Sequence, residues 1–222
     1  GSEGNTKYKV NAIIAPAFVS QFDYATIGQV IQGLRELGFE GIYEAAQGAD
    51  LVAYYEAKEL EEKGFLTTSC CPAFVEYIEK NFPDLVPNIS HNLSPMGTIG
   101  KIIKDEDPTC KNIFIGPCTA KKAEFQLEKV KDYIDCVITF EELQALFDSK
   151  DIDIENLEST PIDDATPFGR GFAKSGGVAA AVVEALIEQG SDFVPDTVAV
   201  EGLDKCKPVL MRASRGMLKN NL

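Results

Sequence analysis

The stretch TTSCCPAFV, residues 67–75, places two adjacent cysteines between a predicted strand and a predicted helix. The apolar and β-branched residues that lead into it are typical of a strand. Pro72 fits the first turn of a helix, because proline has no backbone N–H to leave unpaired there. The other free N–H groups at a helix start favour anions and thiolates, so this stretch predicts a site for thiol chemistry.

Two other stretches repeat this junction. Residues 15–19 (APAFV) match residues 71–75 (CPAFV) at four of five positions, and residues 116–118 (GPC) form a third strand–proline–helix junction. The carboxyl ends of parallel strands lie at one edge of a sheet, where ligands bind. We therefore expect the three junctions to share one crevice. The residues delivered there are Ala15, Cys70, Cys71 and Cys118.

Strand-like and helix-like segments alternate along the whole chain, which is typical of an α/β fold. The predicted strands are 9–14, 41–43, 65–69, 113–115, 133–138, 197–200 and 209–211. The predicted helices are 27–37, 49–63 and 178–189, and others begin at Pro72, at Ser94-Pro95, at Pro117 and at Thr139. Thr139 and Glu142 fit a capping box. No segment resembles a flexible linker between two autonomous domains.

Composition excludes several classes of partner. The 222 residues carry a formal net charge of −14, and such a surface repels nucleic acid and anionic membranes. No apolar run is long enough to span a bilayer, and no signal peptide is visible. Six cysteines in a chain of this length are too few for a secreted disulfide scaffold. The expectation is a cytoplasmic protein with free thiols.

The residues alone leave two interpretations of the cysteines open. Thiolates at helix starts are ligands of iron–sulfur clusters and zinc, which makes Cys71 and Cys118 candidate metal ligands. The other interpretation is a buried structural cysteine, the commonest state of a free thiol. It is accepted for Cys110, Cys136 and Cys206. The repeated junction keeps both interpretations open for the remaining three, and the lack of a C-x-x-C pair disfavours zinc.

Four polar residues also have two interpretations each. Lys121 follows Cys118 by one helical turn and could lower the pKa of that thiol, or be an ordinary surface lysine. Glu56 and Glu59 are three apart on one helix face and could pass protons, although solvated acidic faces are far commoner. A cysteine–histidine hydrolase would need His91, the single histidine, for which a loop position is the simpler interpretation.

Three motifs, in this order, resemble the catalytic domain of iron-only ([FeFe]) hydrogenases. They are TSCCP at 68–72, SPM at 94–96 and PCTAKKAE at 117–124. The resemblance runs from about residue 10 to the end of the chain. It implies two intertwined lobes of mainly parallel sheets flanked by helices, with the metal site in the cleft between them. The lobes would cover about residues 7–110 and 111–222.

The resemblance also implies a cofactor and roles for named residues. The family's H-cluster is a [4Fe-4S] cubane bridged by a cysteine to a di-iron unit with carbonyl, cyanide and dithiolate ligands. Cys71 and Cys118 would be cubane ligands, and Cys70 would hand protons to the di-iron unit. The proton path from solvent to that thiol would consist of Glu56, Glu59 and Ser90. The pocket around the cofactor would include Ala15, Pro16, Ser94, Pro95, Lys121 and Phe172.

The sequence departs from the family at several points. Gly116 stands where the family often has methionine, which would remove a wall of the pocket, and Ala173 replaces a common glycine. Phe74 stands where tryptophan is usual. The family's third cysteine motif, which supplies the other two cubane ligands, is absent. A fragment that is metal-free and inactive as it stands is therefore the expectation.

The function implied by the resemblance is the reversible oxidation of H2 and reduction of protons, with ferredoxin as the electron partner. A different class is the alternative: a sensory or scaffold relative that binds an iron–sulfur cluster and turns over negligible H2. Retention of Cys70 favours the enzyme, because that thiol moves protons, whereas Gly116 favours the alternative mildly.

Overall fold

A computed structural model of the chain describes residues 8–160, 176–200, 202–219 and 221–222. The strands are β1 (Val10–Ile14), β2 (Gly41–Glu44), β3 (Lys111–Gly116) and β4 (Cys136–Thr139). The α-helices are α1 (Phe18–Gln21), α2 (Ile27–Glu36), α3 (Ala45–Lys63), α4 (Pro72–Asn81), α5 (Pro95–Glu106), α6 (Lys121–Glu124), α7 (Phe140–Ser149), α8 (Gly177–Glu188) and α9 (Leu203–Ser214). Short 3₁₀ helices cover Pro83–Asn88 and Ile154–Asn156.

The chain divides into two compact units, each made of two segments of sequence. The first unit is Gly1–Gly48 with Met96–Ala165, and the second unit is Ala49–Pro95 with Thr166–Leu222. The lobes expected over residues 7–110 and 111–222 stay a prediction. The two units are described separately below.

The first unit is built on a four-stranded parallel sheet with the order β2-β1-β3-β4. The central strand β1 is VNAII, and its last four residues are buried. Strands covered on both faces read as apolar runs, which is why this segment was recognisable in the sequence. Helices flank the sheet, and the predicted α/β fold class is confirmed.

Two helices of the first unit begin at capping boxes. Thr26 caps α2 by accepting from the Gln29 backbone N–H, and the Gln29 side chain accepts from the Thr26 backbone in return. Thr139 and Glu142 form the same reciprocal pair at α7, at 3.2 and 2.7 Å, which confirms the predicted capping box. Each pair satisfies two backbone donors that a helix start leaves free.

Aromatic rings fill part of the first unit's core. Phe22 packs edge-to-face against Phe140 and Phe147, with ring centroids 5.7 and 6.5 Å apart. All three side chains are almost fully buried. Such pairs stabilise by about 0.5–1.5 kcal/mol beyond their buried area, so they hold the loop after α1 against α7.

The second unit has two apolar clusters. In one, Ala57 and Leu60 of α3 lie with Val182 and Leu186 of α8. In the other, α4, the segment after it and α9 contribute the buried residues Ile78, Leu85, Ile89, Cys206, Leu210 and Ala213. The second cluster explains a wrong prediction. The strand predicted at 209–211 is part of helix α9, where Cys206, Leu210 and Ala213 recur at helical spacing on one buried face.

Three further expectations were wrong or only partly right. Residues 65–69 and 197–200 form no regular strand within the described ranges; only isolated bridges join Phe65 to Asn221, Thr67 to Ile89, and Asp196 to Asn221. The helix expected from Pro117 begins at Lys121, after a turn.

None of the helices in the described part of the chain is long and apolar enough to cross a membrane.

Candidate functional site

Two of the three strand–proline junctions meet at the carboxyl edge of the sheet in the first unit. β1 and β3 are neighbours, with Ile14 opposite Ile115. The Ala15 backbone N–H continues the ladder by donating to the Ile115 carbonyl at 2.8 Å. Pro16 follows β1 and Cys118 follows β3, so both come off the same edge, and the Cys118 residue is exposed. The third junction, at Cys70 and Cys71, belongs to the second unit.

Lys121 is held by a buried ion pair rather than solvated at the surface. Its Nζ lies 2.5 Å from Oε2 of Glu124, and the two side chains are 13% and 4% exposed. The Lys121 backbone N–H donates to the Cys118 carbonyl at 3.2 Å, which places the lysine one turn after the cysteine. Glu124 was not singled out from the sequence, although a glutamate three residues after a lysine is a standard helical partner.

The space beside Gly116 is filled by Phe114. A Cβ at position 116 would lie 2.7 Å from Cε1 of Phe114 and 3.1 Å from the Cβ of Ala15. Residues 114 and 116 lie on the same face of β3, because side chains alternate along a strand. The ring of Phe114, a residue that sequence reasoning did not single out, therefore lies where a larger side chain at position 116 would go.

In the second unit, Cys71 is the N-cap residue of α4. Its carbonyl accepts from the backbone N–H groups of Phe74 and Val75, both at 3.1 Å. Pro72 is the first helical residue, which confirms the predicted helix start. The Cys71 side chain is not used for capping, and the residue is exposed. The adjacent Cys70 is half-buried, with its Sγ 3.6 Å from Oγ1 of Thr68.

Cys71 also lines a cavity of about 610 Å³ within the second unit. The walls are largely apolar and come from α4, α8, α9 and the end of the chain, including Phe74, Val178 and Leu210. Cys206, assigned a structural role from the sequence, lines the same cavity. Burial raises the pKa of the Cys206 thiol, and the nearby Cys71 raises it further. The volume lies within the range of about 300–1,000 Å³ that is usual for cofactor pockets.

The buried carboxyl of Glu56 lies behind the double cysteine. Its side chain is fully buried in α3, Ser90 donates to it, and the Ser69 backbone N–H lies 3.5 Å from Oε1. Burial raises the pKa of Glu56 to about 7, although the bonds from Ser90 and Ser69 lower it and Glu59 raises it slightly. Within the described residues, Oε2 of Glu56 has no hydrogen-bond partner.

Glu59 lies one turn further along α3 and is surrounded by donors. Lys63 Nζ and His91 Nδ1 both lie 2.7 Å from its Oε1, and Nδ2 of Asn92 donates to Oε2 at 3.1 Å. Burial alone would raise the pKa of Glu59, but the hydrogen bonds from Lys63 and His91 outweigh it and hold the pKa below its ordinary value. Glu59 is therefore ionised at neutral pH.

Asn92 connects the two carboxyl groups through Ser90. Its Nδ2 donates both to Glu59 and to the Ser90 hydroxyl, the latter at 3.1 Å, and its carbonyl accepts from Ser69 Oγ at 2.8 Å. The hydroxyl of Ser90 in turn donates to Glu56. A continuous set of hydrogen-bonding groups thus runs from the exposed His91 to the buried Glu56. Sequence reasoning missed Asn92 because its contact with Glu59 joins residues 33 apart in the chain.

The remaining predicted residues are placed as follows. Ser94 is buried, and Pro95 is the first residue of α5. Phe172 lies outside the described residues. Of the cysteines assigned a structural role, Cys110 and Cys206 are buried and Cys136 is half-buried. The predicted metal ligands Cys71 and Cys118 belong to different units, and no group of three or more metal-ligand side chains occurs within the described residues.

Comparison with known proteins shows the class to which this fold and site belong. The family model "Iron only hydrogenase large subunit, C-terminal domain" matches residues 8–222. The chain is a member of this family.

Both hydrogenases and iron–sulfur assembly factors are similar to this chain. Iron hydrogenase 1 of Clostridium pasteurianum is 34% identical over 203 residues, which cover 83% of this chain and 35% of that protein. The cytosolic Fe-S cluster assembly factor NAR1 of Kluyveromyces lactis is 32% identical over 174 residues, or 72% of this chain and 37% of that protein. A solved structure of [FeFe]-hydrogenase HydA1 from Chlamydomonas reinhardtii superposes with a TM-score of 0.67 at 26% identity, covering 83% of this chain and 54% of that one. The chain therefore spans about a third of the length of these curated relatives.

Proposed function

We propose that this chain forms the core of the catalytic domain of an [FeFe]-hydrogenase, which interconverts H2 with protons and electrons. The observation that carries the proposal is the hydrogen-bonded set from His91 through Glu59, Asn92 and Ser90 to Glu56, which ends beside the backbone of Ser69, next to Cys70. A buried carboxyl whose pKa is raised to about 7 is typical of a proton-transfer site, and this favours the enzyme over a protein that only stores or delivers a cluster.

The residues fit an iron–sulfur cofactor in part. Cys71 offers an exposed soft thiol at the rim of a large apolar cavity, and Cys118 offers a second exposed thiol at the edge of the sheet. We propose that these two thiolates are cubane ligands. Neither unit alone holds a full ligand set among its described residues. When bound, the H-cluster supplies the metal centre for H2 chemistry and its electrons.

Polar residues of the chain would support the cofactor pocket. Lys121 is fixed by Glu124 with its charge largely removed from solvent, which suits a donor to an anionic ligand such as cyanide. Ala15, Pro16, Ser94, Pro95 and Phe172 are proposed pocket residues from the family resemblance. Ala15 and Pro16 lie at the same edge of the sheet as Cys118, which supports their part in one site.

Side chains of this chain would carry protons from Glu59 through Ser90 to Glu56. Nδ2 of Asn92 donates to both Glu59 and the Ser90 hydroxyl, so we propose that a proton moves from Glu59 to Ser90 beside this amide. Ser90 then passes its own proton to Glu56, the acceptor of its hydrogen bond. Because the pKa of Glu56 is about 7, the carboxyl takes up and releases a proton with little cost near neutral pH. Its Oε2, which has no hydrogen-bond partner among the described residues, is the atom that we propose donates onward to Cys70.

The test is H2 evolution from a reduced viologen dye under strict anaerobiosis, using the protein as the cell makes it after loading by its maturation factors. We expect H2 from the wild type and a loss of at least about a hundredfold in Cys70→Ala, since that is the usual contribution of one proton-transfer group. Glu76→Gln, at an exposed ion pair of α4, is the matched control that leaves the rate unchanged. A loaded wild type that produces no H2 contradicts the proposal.

An iron–sulfur scaffold or sensor is the second candidate, and the NAR1 relatives favour it. It predicts that a cluster binds and is handed to an acceptor apoprotein while no H2 is produced. The same loaded sample decides between the two, because cluster transfer is followed by the acceptor's absorption spectrum.

We propose ferredoxin as the electron partner and the cytoplasm as the compartment. The first follows from the family resemblance alone, and the second is supported by six free thiols, which a reducing compartment preserves. Electron transfer from reduced ferredoxin, monitored by its visible absorption as H2 forms, tests the partner. Fractionation of the source cells tests the compartment.

A further inference from the structure

The outer end of the proton path has a group that the family motifs do not include. His91 follows Ser90 directly, and its side chain is 77% exposed, whereas that of Glu59 is 13% exposed. The His91 backbone N–H also donates to the Glu59 carboxylate, at 3.2 Å to each oxygen. The imidazole is therefore fixed to the carboxylate at one edge while the rest of the ring faces water.

Nδ1 of His91 lies between a proton acceptor and a proton donor. It is 2.7 Å from Oε1 of Glu59 and 3.2 Å from Nζ of Lys63. Nδ1 donates when it carries a hydrogen and accepts when it does not, so it cannot satisfy both neighbours at once. With a proton, it bonds to Glu59; without one, its lone pair accepts from Lys63. Both protonation states of this nitrogen thus have a partner in place.

We propose that His91 is the residue that loads the relay with protons from solvent, an inference that rests on the proposed function. A water or buffer acid protonates Nε2, and the ring becomes an imidazolium. Nδ1 then gives its proton to Glu59, the N–H bond breaking as the O–H bond forms, and the ring is left neutral with its proton on Nε2. The lone pair left on Nδ1 accepts a hydrogen bond from Lys63 until exchange with solvent returns the ring's proton from Nε2 to Nδ1, which restores the starting tautomer for the next transfer. The same steps in reverse release protons when H2 is oxidised.

Lys63 is fixed for this role by two other acceptors. Its ammonium bonds to Glu59 at 2.7 Å and to the Pro87 carbonyl at 2.8 Å. A lysine ammonium has three hydrogens, so one remains for Nδ1 of His91. The charged groups that face the imidazole are therefore Glu59 and Lys63, both from α3.

The first experiment needs no cofactor. In this chain, the carboxylic-acid infrared band of Glu56, assigned by its loss in Glu56→Gln, is followed after a pH jump across its pKa of about 7. We expect His91→Gln to slow the protonation of Glu56 about tenfold. This effect is smaller than that expected from removing a buried group, because water partly replaces an exposed acid. Imidazole added to the buffer should restore the rate, and Glu76→Gln should leave it unchanged. An unaltered rate in His91→Gln overturns the inference.

The second experiment separates this inference from the proposed function. In the loaded protein, His91→Gln should make H2 evolution depend on imidazole concentration, whereas the wild type should not. No H2 from a loaded wild type together with a slowed pH-jump response in His91→Gln rejects the hydrogenase and keeps His91 as the relay's entry. Normal H2 evolution with no imidazole dependence in His91→Gln rejects His91 and keeps the hydrogenase.

Discussion

Glu56 and Glu59 lie one turn apart on α3, and their pKa values are displaced in opposite directions. Burial raises the pKa of Glu56 to about 7. Burial also acts on Glu59, but the hydrogen bonds from Lys63 and His91 outweigh it and lower that pKa. At neutral pH, one carboxyl is thus a charged acceptor near solvent and the other is half-protonated in the interior. Two groups with separated pKa values are what a directional relay requires.

The first prediction concerns the stability of the folded chain against pH. A carboxyl whose folded pKa is raised stabilises the fold below its ordinary pKa of 4.5, and this contribution is lost as the pH rises through about 7. Glu59, with a lowered pKa, loses its contribution only below its ordinary value. As the pH rises from about 5 to about 8, the free energy of unfolding of Glu56→Gln should therefore increase relative to that of the wild type by on the order of 3 kcal/mol. Urea unfolding at both pH values measures it, and parallel pH dependence in the two proteins would contradict it.

The second prediction concerns the buried pair Lys121–Glu124. Lys121→Met leaves the Glu124 carboxylate, 4% exposed, without its cation, and should cost about 3 kcal/mol of unfolding free energy. The double variant with Glu124→Gln should recover most of that loss. Lys80→Met, which breaks the exposed pair with Glu76 at the same urea conditions, should give no measurable change. Equal losses of unfolding free energy in Lys121→Met and Lys80→Met would contradict the prediction.

The third prediction concerns the packing of Phe114 over Gly116. Gly116→Met should destabilise the first unit by about 1–3 kcal/mol, because a Cβ there meets the Phe114 ring at 2.7 Å. Phe114→Ala creates a cavity by itself and should also destabilise. In the double variant the methionine can enter that cavity, so its loss should be smaller than the sum of the two single losses. Additive losses would show that the two positions do not share space.

The fourth prediction orders the thiols by reactivity. Cys71 and Cys118 are exposed, so they should react first with a chromogenic disulfide reagent in native buffer. Cys110 and Cys206 are buried and should react only on unfolding. Peptide mass spectrometry identifies the sites, with Cys71→Ser and Cys118→Ser as controls that remove the fast phase. Early labelling of Cys206 would show that reagent reaches this thiol in the folded chain and would contradict its burial.

Structural features that depend on residues close together in the chain could be predicted from the sequence. The capping box of Thr139 with Glu142 and the helix start at Pro72 depend on residues at most three apart, and both were predicted. The sheet strands β1 and β3 could be predicted because burial in the sheet makes their runs 12–14 and 113–115 apolar.

Features that depend on contacts between residues far apart in the sequence could not be predicted. The contact of Asn92 with Glu59 and the shared cavity of Cys71 and Cys206 join segments far apart in sequence. The strand predicted at 209–211 was wrong for the same reason, since this short apolar run lies within helix α9, where Leu210 packs in the cluster that contains Ile78. Motifs identified which residues to examine, whereas their bonding partners came from the tertiary structure.

The carbonyl of Cys71, which receives the N–H groups of both Phe74 and Val75, anchors that residue through its main chain. The thiol itself carries none of this anchoring. Position 71 can therefore exchange its side chain, for serine or for selenocysteine, while α4 still begins at Pro72. A change in the proposed metal-binding side chain at this position therefore leaves the start of helix α4 intact.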